Sequence, residues 1–73
     1  MKYVTDLQDA QGQSFGEVLH NTLAEAVADL EGNIDDPIYA YAYVWECDAD
    51  NNPRTEIDPK WVFDRANGVR GYN

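Results

Sequence analysis

Apolar residues recur along the chain with two different periods, and the change from one to the other predicts where strands give way to a helix. Residues 38–47 alternate between large rings and small apolar groups, a pattern typical of a strand with two distinct faces. Residues 2–8 and 13–19 alternate more weakly, and the sequence Asp-Ala-Gln-Gly between them favours a turn. These two segments therefore predict a β-hairpin.

After the hairpin, the spacing of apolar residues changes to three and four, which predicts an amphipathic helix. The apolar stripe consists of Leu23, Ala26, Val27 and Leu30. Thr22 and Glu25 fit a capping box, in which each side chain satisfies a backbone N–H at the start of the helix. Gly32 is expected to end the helix in a left-handed conformation.

The segment after the long strand is rich in turn-forming residues. Residues 48–53, Asp-Ala-Asp-Asn-Asn-Pro, predict a second turn. Residues 54–57 predict a short strand that pairs back on the long one. Residues 68–73 are expected to form a loose tail.

Residues 59–66 are predicted to form a short second helix. An Asp-Pro pair at its start is typical of an N-cap and first helical position, and the Asn-Gly pair after it is typical of a helix end. The alternative is a further strand, with Trp61 and Phe63 on one face.

Together these elements predict one α+β domain, residues 1–73, with a small antiparallel sheet in the order β-β-α-β-β-α and the main helix on one face. The apolar stripe of the helix is narrow, so we expect it to pack on the face of the long strand that carries small apolar side chains. These are Ile38, Ala40, Ala42 and Val44. The far side of that strand then carries Tyr39, Tyr41, Tyr43 and Trp45. We expect Trp61 and Phe63 of the C-terminal segment, or alternatively a partner, to cover these rings, because small domains seldom leave large apolar patches in water.

Charge divides the chain into two unequal parts. Its 73 residues carry 14 acidic and 5 basic side chains, a formal net charge of −9, and no Lys or Arg lies between Lys2 and Arg54. Such a field repels phosphate backbones and anionic lipids and attracts basic partners, so direct binding to nucleic acid or membrane is not expected. With a single cysteine and no recognisable signal or membrane-spanning stretch, a cytoplasmic protein is predicted.

No motif points to catalysis or to a bound metal, so neither an enzyme nor a cofactor is expected. Asp48, Asp50 and Asn52 match the first ligands of a calcium loop, but prolines occupy the positions where that loop needs a glycine and a bidentate glutamate. His20 has no nucleophile or paired carboxylate at a recognisable spacing. Cys47 stands between two acids, whose charge raises the pKa of a thiol and suppresses its reactivity.

The acidic residues are the strongest functional signal, because carboxylates on a folded surface can occupy the same cationic groove as DNA phosphates. The candidates expected on the helix are Glu25, Asp29 and Glu31, and the loops add Asp35, Asp36, Asp48 and Asp50. The candidate aromatic anchors for the same partner are Tyr39, Tyr41 and Trp45.

In size, in its lack of cations between Lys2 and Arg54, and in its β-β-α-β order, the chain resembles the small acidic inhibitors encoded by phages, especially the DNA-mimicking anti-CRISPR proteins. The resemblance concerns general properties of the whole chain and includes no diagnostic motif. No residue role can therefore be transferred from that class. It implies a protein of the bacterial host cytoplasm whose partner is a basic nucleic-acid-binding protein, such as a subunit of a CRISPR surveillance complex. The basic C-terminal residues depart from a uniformly acidic mimic.

Two functions are expected as alternatives. The first is a non-enzymatic inhibitor, monomeric rather than dimeric, that presents DNA-like negative charge to the basic nucleic-acid-recognition surface of a target. The second is a protein-interaction module or homodimer that uses the aromatic face of residues 38–47, with the acidity serving only solubility.

Overall fold

The computed structural model describes residues 1–73 as a five-stranded antiparallel sheet with one α-helix on one side. The strands are β1 (Tyr3–Gln8), β2 (Ser14–His20), β3 (Tyr41–Glu46), β4 (Trp61–Asp64) and β5 (Val69–Tyr72), and the helix is α1 (Leu23–Asn33). The order across the sheet is β2-β1-β3-β4-β5, so α1 carries the chain from the edge strand β2 to the central strand β3. At 11 residues, α1 is too short to cross a membrane, and the structure has no other helix.

The turn between β1 and β2 forms through the side chain of Asp9, as its sequence predicts. One carboxylate oxygen of Asp9 accepts the backbone N–H groups of Gln11 and Gln13, each at 2.9 Å. Gly12 adopts a φ of 80°, which a residue without a side chain tolerates best. The predicted hairpin is therefore present.

The N-cap of α1 is as predicted, but the reciprocal hydrogen bond from the Glu25 side chain is absent, and the end of the helix also differs from the prediction. The Thr22 hydroxyl accepts the backbone N–H of Glu25 at 3.1 Å, which caps the first turn. Gly32 does not end the helix and instead lies within it. The helix continues because the next residue to reach the core is Ile34, which is 2% exposed and donates its N–H to the carbonyl of Leu30 at 2.9 Å.

The core lies between α1 and the side of the sheet beneath it. Its members are Ala26, Val27, Leu30, Ile34, Ala42, Val44, Trp61 and Phe63. Ala42 and Val44 are fully buried, so the small side of β3 is the floor for the helix. Ile38, predicted to share that floor, is 52% exposed because β3 begins only at Tyr41 and Ile38 lies in the preceding turn.

The predicted helix over residues 59–66 and the β-β-α-β-β-α order are wrong. Residues 61–64 form β4, which pairs with β3. Trp61 and Phe63 are 2% and 8% exposed on the helix side of the sheet, two residues apart as a strand requires. On a helix, their side chains would point about 200° apart, and only one of them would reach the core.

The remaining C-terminal predictions are also wrong. Gly68, with φ 67°, closes a four-residue turn that joins β4 to β5, so the Asn-Gly pair makes a hairpin rather than a helix end. Residues 68–73, expected to be a loose tail, contribute the edge strand β5. Residues 54–57 form turns, and the only bridge of this region back to the long strand joins Cys47 to Pro53.

Candidate functional site

The side of the sheet opposite α1, which we call the open face, is covered by no other element. The strand registers place on it Val4 and Asp6 of β1, Glu17 and Leu19 of β2, Tyr41, Tyr43 and Trp45 of β3, and Val62 and Asp64 of β4. The C-terminal segment was expected to cover the rings of β3, and this is wrong, because Trp61 and Phe63 lie in the core on the other side. The rings therefore face outward.

A column of three rings runs along the middle of the open face. Tyr41, Tyr43 and Trp45 are each half-buried, and the centroids of the Tyr43 and Trp45 rings lie 5.9 Å apart with their planes tilted by 37°. Tyr39, the third aromatic candidate, lies outside β3 and makes an edge-to-face contact with Phe15, with centroids 5.1 Å apart. Of the three aromatic candidates, Tyr41 and Trp45 thus share a surface and Tyr39 does not.

Two carboxylates flank this column, and both are held by uncharged donors. Asp6 accepts hydrogen bonds from Gln8 Nε2 at 2.9 Å and from Ser14 Oγ at 2.7 Å. Asp64 accepts two hydrogen bonds from Asn67, from Nδ2 at 2.6 Å and from the backbone N–H at 3.3 Å. Both groups are therefore fixed in position while their negative charge is left uncompensated.

Asp6 and Asp64 were not among the residues predicted for the site. Asp64 fell in the predicted second helix, where its position relative to β3 could not be read. In the structure Asp6 pairs with Tyr43, and Asp64 pairs with Tyr41. The alternation of β1, with Val4 and Asp6 on one side, was the sequence signal that placed Asp6 on a sheet face.

The environment of Tyr43 reflects these neighbours. Burial raises the pKa of its hydroxyl, and Asp64, Tyr41 and Asp6 raise it further through their charges. Burial and the charges of Asp64 and Asp6 thus both disfavour an additional negative charge at this position.

Two of the three candidate acids on the helix contact basic side chains of the same chain. Asp29 pairs with His20 on β2, with Oδ2 2.9 Å from Nε2, and also accepts a hydrogen bond from Asn33 at 3.2 Å. Glu31 pairs with Arg70 on β5 at 3.2 Å. Asp29 and Glu31 therefore contact opposite edge strands of the sheet. Glu25 is the one helix acid that contacts no basic side chain.

The loop acids lie at opposite ends of the molecule. Asp35 and Asp36 follow α1 and precede β3, whereas Asp48 and Asp50 follow β3. Asp36 accepts the backbone N–H of Ile38 at 3.1 Å, and Asp48 accepts those of residues 50 and 52 at 2.9 and 3.0 Å. The acids therefore cap turns at both ends of β3 and do not extend one line from the helix.

Most of the cations are bound within the protein itself. Arg54 contacts Glu46 at 3.0 Å and Glu56 at 2.9 Å, and Lys60 contacts Glu46 at 3.5 Å. Arg65 binds no carboxylate and instead donates hydrogen bonds to the carbonyls that follow α1. Three of the 14 carboxylates, Glu31, Glu46 and Glu56, form ion pairs with Lys or Arg, Asp29 contacts His20, and the other ten contact no basic side chain.

A shallow pocket of about 370 Å³ lies beside the end of β3, away from the ring column. Its lining consists of Met1, Glu46, Cys47, Asp48, Ala49 and Arg54. Cys47 is 4% exposed, and burial, followed by the charge of Asp48, raises the pKa of its thiol. The thiol is therefore protonated and shielded at neutral pH. No group of three or more His, Cys, Asp or Glu side chains is arranged to hold a metal ion.

Comparison of the chain with models of known families, with curated proteins and with solved structures finds no match. The function is therefore inferred from the placement of the chain's own rings and charges.

Proposed function

We propose that this protein is a non-enzymatic inhibitor that binds the basic nucleic-acid-recognition surface of a target protein. The observation that carries the proposal is the ion-pair pattern: ten carboxylates are unpaired, while Arg54, Lys60 and Arg70 are bound to acids of the same chain. The outward field is therefore strongly negative despite the basic C-terminal residues. Such a field accelerates encounter with a cationic surface and competes with phosphates for it.

The fixed geometry of the acids supports this role. Asp36 and Asp48 are held by backbone N–H groups, and Asp6 and Asp64 are held by uncharged side chains and backbone. A carboxylate that is already immobilised loses little conformational entropy when it meets a guanidinium or ammonium group. Because the unpaired acids lie at both ends of the sheet and on the open face, a basic groove that surrounds the protein fits them better than a flat patch.

A second function, an interaction module or homodimer that uses the open face, is favoured by a different observation. Three half-buried rings lie on a sheet face that no element of the chain covers. Uncovered aromatic surface of this kind is typical of protein interfaces. On this alternative the acids serve only solubility, and replacing them leaves assembly unchanged.

The proposed inhibition can be tested with a charge-reversed variant. Proteins captured on the immobilised chain from bacterial lysate at low salt are purified, and their binding to duplex DNA is titrated with the inhibitor present. We expect the variant Glu25→Lys, Asp35→Lys, Asp36→Lys to inhibit at least about ten-fold less than the wild type, because three unpaired carboxylates become cations. The difference should shrink at about 0.3 M NaCl, where screening weakens both interactions.

The matched control replaces the same three residues with uncharged ones, Glu25→Gln, Asp35→Asn and Asp36→Asn. Its inhibition should lie between those of the wild type and the charge-reversed variant, because it removes the negative charge without adding positive charge. Equal inhibition by all three proteins at both salt concentrations would rule out an electrostatic mechanism. Circular dichroism of each variant verifies that the fold is retained.

A further inference from the structure

The open face combines half-buried rings with carboxylates that contact no basic side chain. Asp6 on β1 lies directly opposite Tyr43, and Asp64 on β4 lies directly opposite Tyr41. Neighbouring strands are about 4.8 Å apart, so Tyr41 and Tyr43 each have a carboxylate about one strand spacing to the side, whereas Trp45 lies opposite Val4. One acid lies on each flank of the ring column.

This arrangement matches the chemistry of an arginine side chain. A guanidinium stacks on an aromatic face within about 6 Å of the ring centroid and at the same time donates two parallel hydrogen bonds to a carboxylate. The aliphatic stem of arginine packs on apolar surface, which the partly exposed Val62 and the exposed Leu19 supply on the same face. Lysine offers a compact charge without the planar fork and fits such a site less well.

We propose that the open face is the docking surface for an arginine-bearing segment of a protein partner, with guanidinium groups placed between the ring column and Asp6 or Asp64. The inference rests on the proposed function, since it names the contact surface and the partner chemistry of that same inhibitor. It assigns recognition to the sheet rather than to the acids of α1.

Charge decides between this occupant and a second copy of the chain. Two copies meeting through their open faces would bring Asp6, Glu17 and Asp64 of one against the same acids of the other. None of these acids has an ion pair that would relieve the repulsion. A cationic segment removes that repulsion and adds attraction at the same positions.

The test uses a short synthetic peptide of alternating arginine and serine, with a lysine-serine peptide of equal length for comparison. Binding is measured by titration calorimetry and by the fluorescence of Trp45, which lies on the open face. Trp61 is 2% exposed in the core, so its emission should not respond, and a Trp45→Phe variant should lose the fluorescence change. We expect the arginine peptide to bind the wild type more tightly than the lysine peptide.

Two triple variants with the same change in net charge distinguish the contribution of the open-face acids from that of the overall negative charge. The open-face variant is Asp6→Asn, Glu17→Gln, Asp64→Asn, and the matched control is Glu25→Gln, Asp35→Asn, Asp50→Asn, three unpaired acids in α1 and the loops. The open-face variant should lose about ten-fold or more in affinity for the arginine peptide, and the control less than about three-fold, because close charge pairs contribute more than distant ones. Thermal unfolding of both variants establishes that they are folded.

Each outcome has a distinct meaning. Equal losses in the two triple variants would overturn the open-face inference and leave the proposed electrostatic inhibition intact. An unchanged affinity in both, or no preference for arginine, would also overturn it. A dimer in sedimentation equilibrium that Trp45→Ser dissociates would make a second copy the occupant. If the arginine peptide binds the open face but the protein does not compete with DNA, the proposed inhibition is wrong and the docking surface is retained.

Discussion

Arg65 connects two distant parts of the chain through a single guanidinium. It donates hydrogen bonds to the backbone carbonyls of Ile34, Asp36 and Tyr39, and its charge lies 5.1 Å from the centroid of the Phe63 ring. The carbonyl end of a helix carries partial negative charge, so a cation is well placed there. Arg65 thus ties the turn after β4 to the loop between α1 and β3.

Replacing this arginine with alanine should lower the free energy of unfolding by about 1–2 kcal/mol, since hydrogen bonds to a charged donor are lost at a partly exposed site. Arg70→Ala is the matched control: it removes one exposed ion pair to Glu31 and should cost less than about 0.5 kcal/mol. Urea unfolding followed by tryptophan fluorescence measures both. Equal effects would show that Arg65 acts only through its charge.

At the scale of the element, the hairpin of β4 and β5 depends on the backbone of Gly68. Its φ of 67° is strained for residues with a side chain, although nothing lies within 4 Å of the position where a Cβ would be. Gly68→Val should therefore destabilise the protein by about 1–2 kcal/mol through backbone strain alone. Gly68→Asn should cost about 1 kcal/mol less, because asparagine adopts this conformation more readily. Equal losses of thermal stability in the two variants would contradict the strain explanation.

The same hairpin shows which elements could be read from the sequence. The β1–β2 hairpin and the start of α1 were predictable, because Asp9 and Thr22 act on residues two to four positions away. The Asp-Pro and Asn-Gly pairs around β4 are compatible both with a helix and with a strand that enters a tight turn. Pairing with β3 decides between them, and this contact is not encoded locally.

The candidate site was only partly predictable for a related reason. The outward position of Tyr41 and Trp45 follows from alternation along one strand. The ion pair of Glu31 is formed with Arg70, which lies 39 residues further along the chain. The position of Asp64 on the open face could be predicted only if residues 61–64 were known to form a strand. Ion pairs and strand pairings of this kind join residues that are far apart in the sequence. Local sequence patterns therefore do not predict them.

At the scale of the whole molecule, a formal net charge of −9 on 73 residues opposes folding through self-repulsion. Thermal stability should therefore rise when NaCl is increased from about 0.02 M to about 0.5 M, because salt screens repulsion between distant exposed charges. The variant Glu25→Gln, Asp35→Asn, Asp50→Asn should melt higher at low salt and gain less from added salt. A melting temperature that falls with salt would mean that the ion pairs around Glu46 outweigh the repulsion.

The position of β4 in the sheet also bears on how the protein is made. Trp61 and Phe63 belong to the core cluster beside Ala42 and Val44, so the segments synthesised before them have no complete hydrophobic core. On the ribosome, the cluster that contains Val27, Leu30 and Val44 stays incomplete until residue 63 has emerged. The nascent chain is thus committed to folding late, after translation of most of its length.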